Sequence, residues 1–287
     1  MWQVIGIAGV FGAIGLGYIL EGGHFAVIFA ALLPELLIIA GCGCATLLIA
    51  NDSATLRGLA VNGKKIFTGP CWGRADYMDA LCLMFLLLRV ARQDGNLVLE
   101  RHIENPAGSA IFARFPRLLA APHLVVFVTD VFRSITLSFT DPFEVGEMME
   151  HEIEQRHRED LRGAKALATM GDALPALGIV AAVLGVIKAM ASISEPPEVL
   201  GQMIAGALVG TFLGVFLAYG LVGPMAGRVR GIVEEEKAML TVIRAVIAAH
   251  LHGLAPQLAV EVGRKAIPTA LQPGFDEVDE LLRGAVR

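Results

Sequence analysis

Charge is missing from the stretch where an ion-moving helix pair would most need it. From Val199 to Gly227 the chain carries no charged residue, and from Ala173 to Met190 it carries only Lys188. A pair of spans that moved ions unaided would hold an Asp, Glu or His at membrane depth, because such groups relay protons or coordinate cations. Here the acids Asp172 and Glu195 stand only at the ends, so an ion-carrying carboxylate has to come from a partner. Cations are in deficit overall: a net charge of −5 argues against nucleic acid, whose partners present a basic face. Cysteine is scarce, with four in the chain, and neither Cys42-Gly-Cys44 nor Cys71 and Cys82 has the spacing of a zinc or redox motif. Free thiols fit a reducing cytosol. There is no internal repeat and no polar cluster at mid-membrane, which argues against a solute carrier, and no low-complexity linker. The first apolar run lacks a basic n-region and a cleavage site, so it reads as a retained span and not a signal peptide.

What is present is apolar. The chain has 287 residues, 55% of them hydrophobic, and a mean hydropathy of +0.63, too apolar for an ordinary soluble protein. With 18% charged residues it is also too charged for spans alone, so membrane helices plus a sizeable soluble part are expected. A helix of roughly 20 apolar residues crosses a bilayer core of about 30 Å. Trp2 to Leu20 forms a first span; Phe25 to Ala50 forms a second, interrupted by Pro34 and Glu35. The two stretches within Met170–Ala226 form a third and a fourth. In the fourth, Gly206, Gly210, Gly214 and Ala218 recur every fourth residue, which puts four small residues on one face and lets another helix approach closely. The uncharged run after Glu35 is short for a crossing. The sequence therefore predicts Phe25–Leu33 as partly interfacial, with Glu35 a headgroup-level carboxylate beside a proline kink; the rival reading is a buried functional acid.

Every Lys and Arg except Lys188 falls between Asp52 and Gly171 or after Ala226. Cations mark the cytoplasmic side, so both termini lie inside and the turns at Glu21–His24 and Ser192–Gln202 face outward. The expected architecture is an all-α integral membrane protein with four transmembrane helices and a helical cytoplasmic domain. Its divisions are 1–51 (spans one and two), 52–171 (cytoplasmic helical domain), 172–226 (spans three and four) and 227–287 (cytoplasmic extension and tail). In the soluble part Tyr77, Met78, Leu81, Cys82, Phe85 and Leu88 form a stripe at helical spacing. Asp141-Pro-Phe-Glu144 has the form of a helix start, with Asp141 as cap and Pro142 in the first turn. The end, from Asp276, is a short amphipathic segment or a frayed tail.

The strings LPALGIVAAVLGVIKAM (174–190) and GALVGTFLGVFLAYGLVGP (206–224), the loop RQDGNLVLERHIENP (92–106) and the terminal AVEVGRKAIP (259–268) resemble the MotA-type stator subunits of the bacterial flagellar motor. The motifs recur in the family's order over almost the whole chain. The resemblance implies a protein of the bacterial inner membrane that couples proton flow to torque on the rotor. It implies assembly with copies of itself, five by resemblance, around a single-span MotB-type partner that supplies the ion-binding Asp. No enzyme activity and no cofactor are expected. A related possibility is an ExbB/TolQ-type energiser of outer-membrane processes, but that family usually has three spans, and the N-terminal hairpin and the 92–106 string argue against it.

The resemblance also assigns residues. Arg92 and Glu100 match the family's contacts with the rotor protein FliG; read as residues alone they are solvated surface charges. Pro175 and Pro224 match the prolines tied to the conformational change that accompanies ion flow. On its own, Pro175 is tolerated in a first helical turn that Asp172 would cap. Thr211, about 20 Å along the helix before Pro224, matches a hydroxyl beside the partner's aspartate; on its own it would bond back to the carbonyl four residues earlier. The family's sodium-driven members have a threonine where this chain has Ala182. The missing oxygen ligand favours protons over sodium.

Overall fold

Twelve α-helices follow one another in the computed structural model, which describes residues 2–23, 25–68, 72–136 and 141–285. They are α1 Trp2–Leu20, α2 Phe25–Ala50, α3 Ser53–Thr68, α4 Arg74–Gln93, α5 Asn96–Glu104, α6 Pro116–Leu119, α7 Pro122–Thr136, α8 Pro142–Ala191, α9 Pro197–Val215, α10 Gly223–Leu251, α11 Pro256–Ala266 and α12 Phe275–Ala285. A π-helical segment, Phe216–Val222, joins α9 to α10, and no strand occurs among the described residues. His24 and Cys71 lie outside the described residues. Packing divides the chain into two units, 1–69 with 159–232 and 70–158 with 233–287. The divisions at 158 and 232 fall inside α8 and α10, and α3 groups with the first unit.

The first unit is made of helices that keep their apolar side chains outside. Four helices among the described residues are long and apolar enough to cross a membrane. Leu20, Leu33 and Ile49 are 79%, 77% and 85% exposed, and in water that would be a standing penalty of roughly 25 cal/mol per Å². Burial among the spans centres on a thin seam around Ile39, Leu174, Ala181, Leu213 and Ala218, with a smaller cluster of Ile66, Ala164 and Val229 in the same unit. These helices are therefore solvated by lipid: this is an integral membrane protein.

Glycines let that seam close. A methyl group on Gly178 would stand 2.9 Å from the Gly210 carbonyl oxygen and 3.1 Å from Gly214 Cα, and one on Gly214 would stand 2.7 Å from the Leu174 carbonyl oxygen. Helices α8 and α9 thus touch backbone to backbone. Gly206 faces Ala31 on α2 and Gly210 faces Glu35 on α2 and Ala181 on α8. The small-residue face of α9 is covered by two helices of the same chain. Ala218, last of the series, is buried within the π segment.

Two sequence expectations change here. Helix α2 runs unbroken through Pro34, so the apolar run counts in full from Phe25. Pro34 is exposed, and α2 continues through it although the proline withholds one hydrogen bond and its ring crowds the Ala30 carbonyl four residues earlier. Glu35 is correspondingly not at headgroup level. It is 8% exposed and rests on Gly210, about 20 Å from the start of α9 at about 1.5 Å per residue. Likewise Pro175 lies deep inside the 50-residue α8 and not in a first turn capped by Asp172. The helix starts where Asp141 caps it, its carboxylate accepting from the N–H groups of Phe143 and Glu144 at 2.8 and 3.4 Å.

The second unit has an ordinary water-soluble core. Helix α4 is its centre, and it is more than a one-sided stripe: every residue from Ala80 to Leu88 is buried. An all-round apolar helix must be enclosed, and α5, α6, α11 and α12 pack around it. Helix α12 realises the amphipathic reading of the C-terminus, burying Val278, Leu282 and Ala285. Within this unit α8 and α10 are joined by Lys237–Glu154 at 2.6 Å and Arg244–Glu150 at 2.7 Å. Cys82 is buried, and that burial pushes its thiol up from its ordinary value.

The terminal string turns out to be structural. Arg264 is buried, and its guanidinium donates through Nε and Nη2 to the two carboxylate oxygens of Glu261 at 2.6 Å each, and through Nη1 to the Pro273 carbonyl at 2.8 Å. The hydrogen bond from Arg264, reinforced by its charge, holds the Glu261 carboxyl below its ordinary value. Removing one partner of such a pair strands the other. Arg264→Ala should therefore destabilise the second unit by about 3 kcal/mol, read as a lower Tm, and Arg264→Lys should recover only part because an ammonium cannot form the fork. Since Glu261 titrates lower when folded, its contribution is present above the unfolded carboxylate range and is lost as pH falls through the folded value. Glu261→Gln should flatten that part of the acid limb of a Tm-against-pH curve; an unchanged limb would refute the assignment.

Candidate functional site

Two groups of residues stand out, one in each unit. In the first unit, α8 and α9 run antiparallel in a register set by Gly185 against Ala207, Ala181 against Gly210, Gly178 against Gly210 and Gly214, and Gly171 against Val222. Ala182 and Thr211 are the next residues on from the packed pair Ala181 and Gly210, so they stand at one level, both half-buried. The back-bond expected of Thr211 does not form: its hydroxyl makes no hydrogen bond among the described residues, whereas Thr46 and Thr241 bond back to Gly43 and Lys237 at 2.9 and 3.0 Å. A half-buried hydroxyl without an internal partner is open to one from outside. Ala182 adds no oxygen beside it.

Pro175 and Pro224 are brought together through the groups they disturb. Pro175 has no N–H to offer the Gly171 carbonyl, four residues earlier on α8. A side chain at Gly171 would stand 3.2 Å from Val222 Cγ1 and 3.8 Å from the Gly223 nitrogen, at the end of the π segment and immediately before Pro224. That segment has its own cause. Pro224 cannot bond the Gly220 carbonyl and its ring would press on it, and the chain answers by widening, with the Gly223 N–H reaching back five residues to Ala218. Such π segments inside α-helices are frequently found at functional sites. Sequence reasoning found both prolines but not the π turn, whose one visible signal is the Gly220, Gly223 and Pro224 cluster.

In the second unit, Arg92 lies in the last turn of α4 and Glu100 lies on α5, both exposed. The corner between them is tight: Asp94 and Gly95 both donate to the Val90 carbonyl, at 2.9 and 3.2 Å. Gly95 has φ of +84°, a conformation that favours glycine. Leu99 and Ile103 anchor α5 in the core, leaving Glu100 outside. Neighbouring charges are committed, Arg133 to Glu104 and Asp130 at 2.7 Å each and Arg89 Nε to Gln93 at 2.9 Å. Arg92 and Glu100 make no ion pair or hydrogen bond among the described residues. Arg92 also borders a hollow of about 350 Å³ shared with Asn96, Phe132 and His250. Among the described residues no group of His, Cys, Asp or Glu could hold a metal ion.

Against known proteins, the motility protein A N-terminal family matches residues 4–95, and the MotA/TolQ/ExbB proton channel family matches 126–241. The motility protein A of Salmonella typhimurium is 39% identical over 287 residues, covering 100% of this chain and 96% of that protein. This chain belongs to the motility protein A family. The Escherichia coli member is 38% identical over 283 residues, 99% of this chain and 95% of that one. Among solved structures, MotAB from C. jejuni superposes with a TM-score of 0.73 at 21% identity, covering 93% of this chain and 95% of its counterpart, which establishes a shared fold. The motility protein A family is one of membrane ion channels and motor subunits.

The uncommitted state of Arg92 and Glu100 makes a clean test possible, because no internal pair is broken when they change. Arg92→Glu combined with Glu100→Lys should leave folding stability within about 1 kcal/mol of wild type, as for exposed charges, while abolishing swimming. Normal swimming by the double variant would mean that the two are ordinary solvated charges.

Proposed function

We propose that this chain is the MotA-type subunit of a proton-driven flagellar stator, working in the bacterial inner membrane with both termini in the cytoplasm. Membership of the motility protein A family supplies the stator role. The N-terminal match at 4–95 and relatives named for motility over the full length favour it over an ExbB/TolQ-type energiser. Proton coupling is carried by one observation: at the level where Thr211 presents an uncommitted hydroxyl, α8 and α9 offer no acid and Ala182 no second oxygen.

In this reading the ion-binding Asp arrives on a single-span MotB-type partner, and the C. jejuni structure that shares this fold is of MotAB. Five copies of this chain surround the partner, and Thr211 receives its carboxyl. Gly206, Gly210, Gly214 and Ala218 hold α9 against α2 and α8. The segment around Gly171, Val222 and Gly223, with Pro175 and Pro224 on either side, changes shape as protons bind and leave. Arg92 and Glu100 engage FliG through weak, releasable charge contacts that suit repeated making and breaking. Residues 1–51 and 172–226 lie in the membrane; 52–171 and 227–287 lie in the cytoplasm.

A hard cation such as sodium needs several oxygens in place of its hydration shell, whereas a proton needs one acceptor and a hydrogen-bonded path. Swimming speed should be insensitive to external sodium at fixed proton-motive force and should collapse with an uncoupler. Speed that tracks sodium and survives the uncoupler would reject the proton assignment.

A further inference from the structure

We propose that Glu35 is a proton-binding group belonging to this chain itself, set in a groove between α2, α8 and α9 that leads protons from the outer side to the level of Thr211. The inference rests on the proton-driven stator reading. Three observations meet at this residue. Its side chain is more than nine-tenths buried, and its Oε2 has no hydrogen-bond partner among the described residues. An ionised carboxylate in that position would bear a large desolvation cost, so the group rests neutral and takes up charge only transiently. Second, α9 is cut away to receive it: a methyl on Gly210 would lie 2.6 Å from Oε2 and 3.3 Å from Cδ. The residue after Gly210 is Thr211, so acid and hydroxyl share one depth.

Third, Glu35 lines a groove of about 390 Å³ together with Pro34, Gly185, Lys188, Gln202 and Gly206. That volume admits several waters at about 30 Å³ each, and Lys188 and Gln202 set polar groups into an otherwise largely apolar wall. Lys188 lies about 10 Å along α8 beyond Ala181, at about 1.5 Å per residue, toward the end that the charge distribution places outside. It is the one cation within the spans, and it faces the same groove as the buried acid. The step is a plain proton transfer. The resting Glu35 carboxylic acid releases its proton to water or to an acceptor at the Thr211 level, and a hydrated proton from the groove then protonates the transient carboxylate, restoring the acid.

The test uses the full complex of this chain with its partner in vesicles, reporting proton flux with a pH-sensitive dye. Glu35→Gln keeps shape and hydrogen bonding but cannot carry a proton, and it should lower flux at least tenfold with the partner still co-purifying. Glu35→Asp should retain part of the flux. Gly210→Ala, which displaces the carboxyl without altering it, should also lower flux. Wild-type flux in Glu35→Gln would overturn this proposal alone; a wild-type complex carrying no protons would overturn the stator reading with it. If Glu35→Gln fails to assemble, infrared difference spectra of the wild-type complex with carboxyl-labelled glutamate decide. A protonated-carboxyl band that comes and goes between about pH 5 and 9 and moves in Glu35→Asp upholds the proposal; no such band, or one constant over that range, overturns it.

Discussion

Backbone contact between α8 and α9 is the constraint on which the membrane unit depends. In hydrocarbon there is no hydrophobic gain from pairing two apolar helices, so association rests on dispersion and close approach. Gly178, Gly210 and Gly214 remove the side chains that would hold the helices apart. The same absence serves α2, whose Gly43 admits Leu174 of α8 with a methyl-to-Cδ2 distance of 3.0 Å. Once the three helices touch, much else follows: Ala182 and Thr211 share a level, Gly171 meets the end of the π segment, and a carboxyl on α2 comes to rest against Gly210. A seam this thin, with few large buried side chains, also leaves little resisting a shift of one helix past another.

The second unit works on the opposite principle. Its interior is filled with Leu, Phe, Ile and Val from seven helices around α4. In the proposed rotor contact, that solidity is what would let the exposed charges act. A charge contact worth under about 1 kcal/mol can do mechanical work only if its carrier does not yield first, and Arg92 and Glu100 sit on helices anchored by Leu88, Leu99 and Ile103. The buried Arg264–Glu261 fork fixes α11 in the same rigid body.

Much of this is legible in the sequence because the signals are long and redundant. Uncharged runs of helical length mark the spans, Asp141-Pro142 marks the start of α8, and the stripe from Tyr77 to Leu88 marks the core helix. What escapes is whatever depends on a helix surviving its own breaker. Pro34 reads as an interruption and Pro175 as a first-turn residue because proline removes a hydrogen bond, yet both sit inside continuous helices. The π turn escapes because the fourfold small-residue spacing runs straight through it to Ala218. Glu35 escapes for a related reason: its depth is set by Gly210, 175 residues away, and from its own surroundings it looks like a residue at the edge of a short run. In the candidate site, the residues themselves are visible through the matched strings. Their freedom from internal partners, for Thr211, Arg92 and Glu100, is visible only once the chain is folded.

The central claim is that this chain is half of an ion path, with spans that shape the route and a partner that completes it. The most direct measurement is proton permeability of vesicles holding the purified chain alone, compared with vesicles holding it together with its single-span partner. The account predicts background permeability for the chain alone and specific conduction, without added uncoupler, when the partner is present. Specific conduction by the chain alone would contradict it.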